Sequence, residues 1–279
     1  MLIIVQIFFI LPGQIGAFMS KQKSIDWLIN PDRTPGITRN YVFGCLGKCK
    51  YCYARPMAKR FGIAVRMAKK EMECIAGKEW FLESKWLPVY ITYRHQFLRF
   101  IPTFRPSVLA QKLPEKPTMI FFSMSDPVYW ESEWYEKILK KICQHMQHTF
   151  VILTKSPMIY EKYTFPHNCW LGVTICTYHD YNCNAVAIDL IQKCKNKIFI
   201  SFEPIHNTFS IRFLEMMLEK FDWVIVGPET GIRTNKIIPP PEWIEPFFDL
   251  PGRVFMKSAC SKIIDRPLRQ EWPEGYLND

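Results

Sequence analysis

The stretch from residue 149 to residue 156 reads TFVILTKS, a continuous apolar run that ends in two hydroxyl groups and a lysine. Short runs of this kind are typical of strands that are buried on both faces of a parallel sheet. The same pattern recurs along the chain. The predicted strands are Asn40–Gly44, Thr118–Ser123, Phe150–Thr154, Trp170–Ile175, Ile198–Phe202, Trp223–Gly227 and Arg253–Lys257.

Stretches long enough for helices separate most of these strands. Glu131–Met146 carries apolar residues at helical spacing, at Trp134, Ile138 and Ile142. The other predicted helices are Arg55–Glu73, Ala185–Lys195 and Phe209–Phe221. Strands that alternate with helices predict βα units with right-handed crossovers. The expected fold class is therefore α/β, as a partial or full (β/α) barrel, with a doubly wound open sheet as the alternative.

The same pattern divides the chain. Its 279 residues suit one large domain, which we place at residues 39–260. Residues 1–38 are interpreted as a leader and an irregular N-terminal segment, and residues 261–279 as a C-terminal tail. Residues 74–117 do not fit the alternation and are interpreted as an insertion, in which Pro88–Phe100 is predicted to form a hairpin over the barrel mouth.

The first residues have two interpretations. Leu2–Pro12 is apolar but too short to cross a bilayer as a helix, so no stable membrane insertion is expected. The run resembles the core of a signal peptide, although no Lys or Arg precedes it. Met19 is the alternative start, and we favour it because the cysteines of this chain suit the reducing cytoplasm.

The positive charge is concentrated near the N-terminus. The chain has a net charge of +10, and residues 19–70 contain twelve Lys and Arg against Asp26 and Asp32 alone. Such a surplus suits a polyanion such as nucleic acid, or the docking of an acidic electron-donor protein. A solvated basic face is the simpler interpretation.

Three of the ten cysteines form a motif. Residues 44–54 read GCLGKCKYCYA and place Cys45, Cys49 and Cys52 in a Cys-x3-Cys-x2-Cys arrangement directly after a predicted strand. Three thiolates on a [4Fe–4S] cluster leave one iron open for a reactive ligand, as an open position does in catalytic zinc sites. A zinc site needs a fourth ligand, for which Cys74 and His95 are the next candidates along the chain.

Polar side chains follow the predicted strands at their C-terminal ends. In (β/α) barrels the active site is built at this edge, so we expect a shared site there. Strand ends that are polar only because they meet water are the alternative interpretation. The residues are Ser123, Ser125, Asp126, Thr154, Lys155, Thr174, Glu203, Glu229, Thr230, Lys257 and Ser258.

The cysteine motif, with the aromatic Tyr51 before its third cysteine, is similar to the signature of the radical S-adenosylmethionine (SAM) superfamily. The chain resembles one branch of it, a phage- and bacteria-associated group of uncharacterised proteins sometimes compared with spore photoproduct lyase. The resemblance implies a barrel of the radical SAM type. Pro228 departs from the branch, which usually has glycine there. The matching stretches are CKYCYARPMAKRFG, FFSMSDPVYWE, VILTKSP, LGVTI, SFEPI, DWVIVGPETG and VFMKSA.

The resemblance also implies cofactors and roles. Cys45, Cys49 and Cys52 would hold a [4Fe–4S] cluster, whose open iron binds SAM, and the reductive cleavage of SAM would yield a radical that abstracts a substrate hydrogen. Tyr51 would border the adenine. The turn after the second predicted strand would hold the SAM amino group, through Asp126 with help from Ser123 and Ser125. A flavodoxin- or ferredoxin-like protein would supply the electron.

Four further residues are candidates with weaker grounds. Glu203 and Glu229 would meet the ribose, the sulfonium region or the substrate, although a helix cap or an ion pair suits either carboxylate equally well. Lys257 is a candidate for binding a carboxylate or phosphate, and a surface lysine is its alternative interpretation. Cys260 is a candidate thiol hydrogen donor, and a buried spare cysteine is the alternative.

The expected function is that of a radical SAM enzyme with an unknown substrate, and the placement of charge favours nucleic acid. The alternative from another class is a non-catalytic metal-binding module, with zinc or an iron–sulfur cluster, that interacts with nucleic acid. A member that keeps the cluster but has lost SAM binding is a third interpretation. A cytoplasmic location is expected in each case.

Overall fold

The computed structural model describes residues 25–59, 99–230 and 235–277. Seven parallel strands in this part of the chain form one curled sheet, a half-barrel. The α/β expectation is therefore confirmed at the level of a partial barrel. The strands of the sheet are β1 (Ile37–Thr38), β4 (Met119–Phe121), β5 (Thr149–Thr154), β6 (Cys169–Thr174), β7 (Lys197–Phe202), β8 (Trp223–Val226) and β9 (Val254–Met256), and β2 (Val42–Phe43) with β3 (Thr103–Phe104) forms a separate antiparallel pair.

The strand order explains the curl. From β4 to β9 each strand pairs with the next one along the chain, and all these pairs are parallel. Crossovers of one hand then carry the chain around the sheet in a single direction. The alternative of a doubly wound open sheet is wrong, because that topology requires the strand order to reverse.

Helices cover the outer face of the half-barrel. The buried Tyr135, Ile138 and Ile142 pack with Ile152 and Ile200 of the strands in one large apolar cluster. The side chains alternate along each buried strand, so every second residue meets the helices. The helices are α1 (Pro106–Leu109), α2 (Ser132–Cys143), α3 (Ile159–Lys162), α4 (Tyr178–Ile191) and α5 (Ile211–Lys220), and residues 54–59 are also helical.

The concave face is closed by segments from both ends of the described chain. Trp27 and Leu28 are buried there with strand residues such as Trp223, and Trp27 lies 5.0 Å from Phe121 between ring centroids. Tyr276 joins the same cluster from the segment that was predicted to be a tail. Residues on both sides of the predicted domain boundaries thus pack inside the half-barrel.

The first strand of the sheet is not where the sequence predicted it. The run Asn40–Gly44 contributes Val42–Phe43 to the two-stranded sheet, whereas Ile37–Thr38 pairs with β4. The reason lies at Asn40, whose side-chain oxygen accepts hydrogen bonds from the backbone N–H groups of Ser123 and Met124 at 2.8 and 2.9 Å. The side chain thereby takes the donors that a continuing strand would use, and the backbone leaves the sheet.

Several predicted segments lie outside the described residues. They include the leader, most of the helix predicted at Arg55–Glu73 and most of the hairpin predicted at Pro88–Phe100. The described end of the insertion, residues 99–117, contains β3 and α1. No helix in the described ranges is both long and apolar enough to cross a membrane.

Candidate functional site

The cysteine loop begins at Gly44, directly beside the end of β4. The Gly44 N–H group donates to the Met124 carbonyl at 3.0 Å, and the Ser125 hydroxyl donates to the Gly44 carbonyl at 2.6 Å. Gly44 has φ of +88°, and a Cβ there would lie 2.1 Å from the Ile101 carbonyl oxygen. Only glycine suits this position, and it directs the loop across the C-terminal edge of the sheet.

The three cysteine side chains are half-buried and held by the backbone of their own loop. The Gly47 N–H group donates to the Cys45 sulfur at 3.2 Å, and the Arg55 N–H group donates to the Cys52 sulfur at 3.4 Å. A Cβ on Gly47 would lie 3.1 Å from the Cys45 sulfur and 3.8 Å from the Cys49 sulfur. The absence of a side chain at Gly47 therefore keeps open a space that two of the thiols border.

Arg55 closes the loop from the other side. Its guanidinium group donates to the carbonyl oxygens of Cys45 and Gly47 at 3.2 and 2.7 Å, and it lies 5.1 Å from the centroid of the Phe100 ring. Burial raises the pKa of the Cys45 thiol, and the nearby Asp126 carboxylate acts in the same direction. The loop thus combines a fixed backbone with a positive charge close to the thiols.

The chemistry of this donor set suits an iron–sulfur cluster. Within the described residues, no three His, Cys, Asp or Glu side chains come together closely enough to hold one metal ion. In a cluster each thiolate binds a different iron, so its protein ligands stand further apart than those of a single zinc ion. Backbone N–H groups directed at the sulfurs are one of the means by which proteins tune such clusters.

Tyr51 extends from the cysteine loop over the ends of the neighbouring strands. Its hydroxyl group lies 3.0 Å from the sulfur of Cys176, the second residue after β6. The His206 ring contacts it edge-on with centroids 5.1 Å apart, and the Lys155 ammonium lies 5.1 Å from its ring centroid. Side chains from the ends of β5, β6 and β7 therefore meet around one residue of the loop.

The electrostatics of this group follow from burial. Burial raises the pKa of Cys176 to about 11, although the Lys155 ammonium acts against the shift. Burial also raises the pKa of the Tyr51 hydroxyl, and the Cys176 sulfur adds to the effect. Both groups are therefore protonated at neutral pH. Neither Cys176 nor His206 was predicted as a site residue, although each follows a predicted strand closely, which was the available signal.

The predicted SAM-binding turn holds the cysteine loop in place. Asp126 accepts hydrogen bonds from the Val128 and Lys155 backbone N–H groups at 3.2 and 3.0 Å and from the Thr154 hydroxyl at 2.6 Å. It therefore caps the 3-10 helix Pro127–Tyr129.

The two serines of the turn are likewise engaged within the protein. The Ser125 hydroxyl accepts from the Trp130 indole at 2.9 Å while it donates to Gly44, and the Ser123 carbonyl accepts from the Tyr53 hydroxyl at 2.7 Å. Ser123 and Ser125 thus support the loop, and contact of this turn with SAM stays a prediction.

Glu203 and Lys257, which follow β7 and β9, form an ion pair across the mouth of the half-barrel. Their side chains are 22% and 14% exposed. Burial disfavours the charge of Lys257, but the Glu203 carboxylate outweighs it, so that the pKa of Lys257 is raised. Lys257 is therefore not a free surface lysine, the alternative interpretation of this residue, because its ammonium group is paired with the Glu203 carboxylate.

Glu229, which follows β8, lies beside His206. A distance of 3.4 Å separates its carboxylate oxygen from the His206 ring nitrogen, and the Glu229 side chain is 3% exposed. Through His206 it connects to Tyr51. The structure thus brings together Tyr51, Cys176, His206 and Glu229, and the pair of Glu203 with Lys257 lies next to them, since the Cys176 thiol contacts the Glu203 carbonyl at 3.8 Å.

A family model described as a protein of unknown function, DUF5131, matches residues 33–250. The chain belongs to the DUF5131 family. The match includes the cysteine loop and the strands from β1 to β8, and it ends before Lys257 and Cys260. No curated protein and no solved structure matches the chain.

Cys260 of this DUF5131 protein does not reach the mouth. It is fully buried in the apolar cluster between sheet and helices, where its thiol contacts the Val226 carbonyl at 3.8 Å. Burial raises its pKa to about 12. The burial of Cys260 favours the alternative, a spare core cysteine, and its role as a hydrogen donor stays a prediction. Cys176 is the thiol that lies beside the cysteine loop.

A cavity of about 440 Å³ lies away from this site. Asn30, Ile37, Pro114 and Thr118 are among the residues that line it, and Thr118 directly precedes β4. The cavity therefore borders the N-terminal edge of the sheet, opposite the cysteine loop. Asn30 is engaged in fixing the backbone there, because it accepts from the Met119 N–H group at 2.8 Å.

Proposed function

We propose that this DUF5131 protein is a radical SAM enzyme whose cluster is held by Cys45, Cys49 and Cys52. The observation that carries the proposal is the position of three half-buried thiols on one fixed loop at the C-terminal edge of a parallel half-barrel. In (β/α) barrels that edge is the site of catalysis. A metal site that only stabilises a small binding module does not require a seven-stranded sheet with polar residues at the edge beside the site.

The cluster would supply one electron for the cleavage of SAM, and with it the radical that abstracts hydrogen from the substrate. The protein's own contribution is to position and shield. Gly44 and Ser125 fix the loop against β4, and Arg55 fixes its far end. Tyr51 extends over the neighbouring strand ends and is held there by Cys176 and His206.

The charged residues of the mouth are placed to orient a polar substrate. Lys155 extends its ammonium over Tyr51, while Glu203 and Lys257 present a paired charge beside Cys176. The substrate proposed first is nucleic acid, since the basic surplus of residues 19–70 surrounds the cysteine motif.

The test is anaerobic reconstitution with iron and sulfide, followed by reduction and an assay for 5′-deoxyadenosine. We expect about four irons per chain and cleavage of SAM by the wild type. Cys49→Ala should lose both, whereas Cys143→Ala, a change at an exposed cysteine of α2, should keep both. Substrate screening would then begin with single- and double-stranded oligonucleotides.

Two results would contradict the proposal. Binding of zinc with SAM left intact would favour the non-catalytic metal-binding module. A reconstituted cluster that is reduced but never cleaves SAM would favour the member that has lost SAM binding.

A further inference from the structure

The cysteine loop has two faces that alternate along its sequence. Cys45, Gly47 and Cys49 are half-buried, whereas the residues between and after them, Leu46, Lys48 and Lys50, are exposed. Successive side chains of an extended backbone point to opposite sides. The inner face therefore carries the thiols and continues to Tyr51 at the mouth, and the outer face carries two lysines and a leucine.

We propose that this outer face, defined by Leu46, Lys48, Lys50 and Lys59, is the docking surface of an acidic electron-carrier protein. The inference rests on the proposed function, because it gives the cluster its source of electrons. It assigns the two faces of one loop to two partners, with the substrate on the inner side and the carrier on the outer side.

The charge of the outer face is positive, as far as the described residues show. Lys48, Lys50 and Lys59 are exposed, and the sequence has no Asp or Glu between Asp32 and Glu71. In the described part of the chain none of the three lysines takes part in an ion pair. Unpaired charges of one sign raise the rate at which a protein of opposite charge associates.

The outer face also has the apolar centre that a short-lived complex requires. Leu46, a large apolar side chain, is 58% exposed. Weak redox complexes bury less than about 1,200 Å² in total, so one exposed leucine with a rim of lysines is a contact of suitable size.

The position of the lysines distinguishes a carrier from a substrate. Lys48 and Lys50 flank Cys49 directly, so a protein bound to them lies next to a cluster ligand without entering the mouth. A substrate has to reach the inner face, where the radical would be formed. An electron carrier needs only a short distance to the cluster, and the outer face offers it.

The experiment compares two reductants on the reconstituted full-length protein. Cluster reduction is followed by absorbance with dithionite, a small chemical reductant, and with a reduced flavodoxin, an acidic protein. The variant Lys48→Glu/Lys50→Glu/Lys59→Glu reverses the outer face. The matched control Lys112→Glu/Lys193→Glu/Lys195→Glu makes the same change of charge at exposed lysines that precede β4 and β7, at the opposite edge of the sheet.

We expect the outer-face variant to be reduced by flavodoxin about tenfold more slowly than the wild type at low salt. The difference should vanish at about 1 M salt, where charges are screened beyond about 3 Å. Iron content and reduction by dithionite should match the wild type, and the control variant should behave as the wild type throughout.

Three results would overturn the inference. If flavodoxin reduces the outer-face variant as fast as the wild type, at normal iron content, the outer face is not the docking surface. The proposed function is unaffected by that result. Loss of binding to a labelled single-stranded oligonucleotide, with unchanged reduction, would assign the outer face to nucleic acid instead. A wild-type protein that dithionite fails to reduce would overturn the proposed function together with the docking surface.

Discussion

The Tyr51 hydroxyl group lies 3.0 Å from the Cys176 sulfur and so joins the cysteine loop to the end of β6. The loop is attached to β4 at its start, through Gly44 and Met124. Two anchors on strands that are separated by β5 hold the loop across the mouth of the half-barrel. The contact therefore determines where the inner face of the loop lies with respect to the strand ends.

Removal of the Tyr51 hydroxyl should loosen the loop with little effect on the rest of the fold. We expect Tyr51→Phe to lower the free energy of unfolding by about 1 kcal/mol, the usual net value of a hydrogen bond. The Cys49 thiol of the metal-free protein should react faster with a thiol reagent. Tyr163→Phe is the control, because its hydroxyl bonds to Ser132 at 2.9 Å, away from the loop. An unchanged thiol reactivity in Tyr51→Phe would show that the second anchor is unimportant.

Gly44 should tolerate no side chain, because a Cβ there would clash with the backbone. A second glycine, Gly275, separates the effect of this clash from the effect of positive φ. Gly44 and Gly275 both have positive φ, at +88° and +68°, but a Cβ meets a backbone oxygen at 2.1 Å only at Gly44 and nothing within 4 Å at Gly275. Gly275→Ala should cost about 1 kcal/mol of stability, and Gly44→Ala at least about 3 kcal/mol with loss of iron binding. Chemical denaturation measures both. Similar losses in the two variants would mean that the approach of Ile101 is not what requires glycine.

The sequence predicted the sheet well because buried parallel strands are continuous apolar runs. Phe150–Thr154 and Ile198–Phe202 lie within one residue of the observed strands. The first strand was missed since Ile37–Thr38 is only two residues long and its end is set by a side-chain contact of Asn40. The placement of Cys176 against Tyr51 joins residues 125 positions apart, and no local pattern encodes such a contact.

His148 should make the protein less stable in mild acid. It is 1% exposed and lies edge-on to Phe150, and burial lowers its pKa below the usual 6.5, with the nearby His145 ring acting in the same direction. The unfolded chain therefore binds the proton more readily than the folded protein, so stability falls as pH drops below 6.5. His148→Phe should flatten this dependence when the free energy of unfolding is measured from about one pH unit above to about one pH unit below that usual value. His167→Phe, at an exposed position, should leave the dependence as it is in the wild type.

Removal of one charge of the ion pair between Glu203 and Lys257 should lower the free energy of unfolding strongly. Removal of both charges should lower it much less. Glu203→Gln leaves a largely buried ammonium without its partner, so we expect a loss of about 3 kcal/mol in the free energy of unfolding. Glu203→Gln/Lys257→Met removes both charges and should recover most of that loss. The exposed pair of Asp189 with Lys220 is the matched control, and Asp189→Asn should cost less than about 1 kcal/mol. If the double variant is no more stable than Glu203→Gln, the loss arises from the carboxylate's other contacts, and the mouth of the half-barrel depends on Glu203 itself.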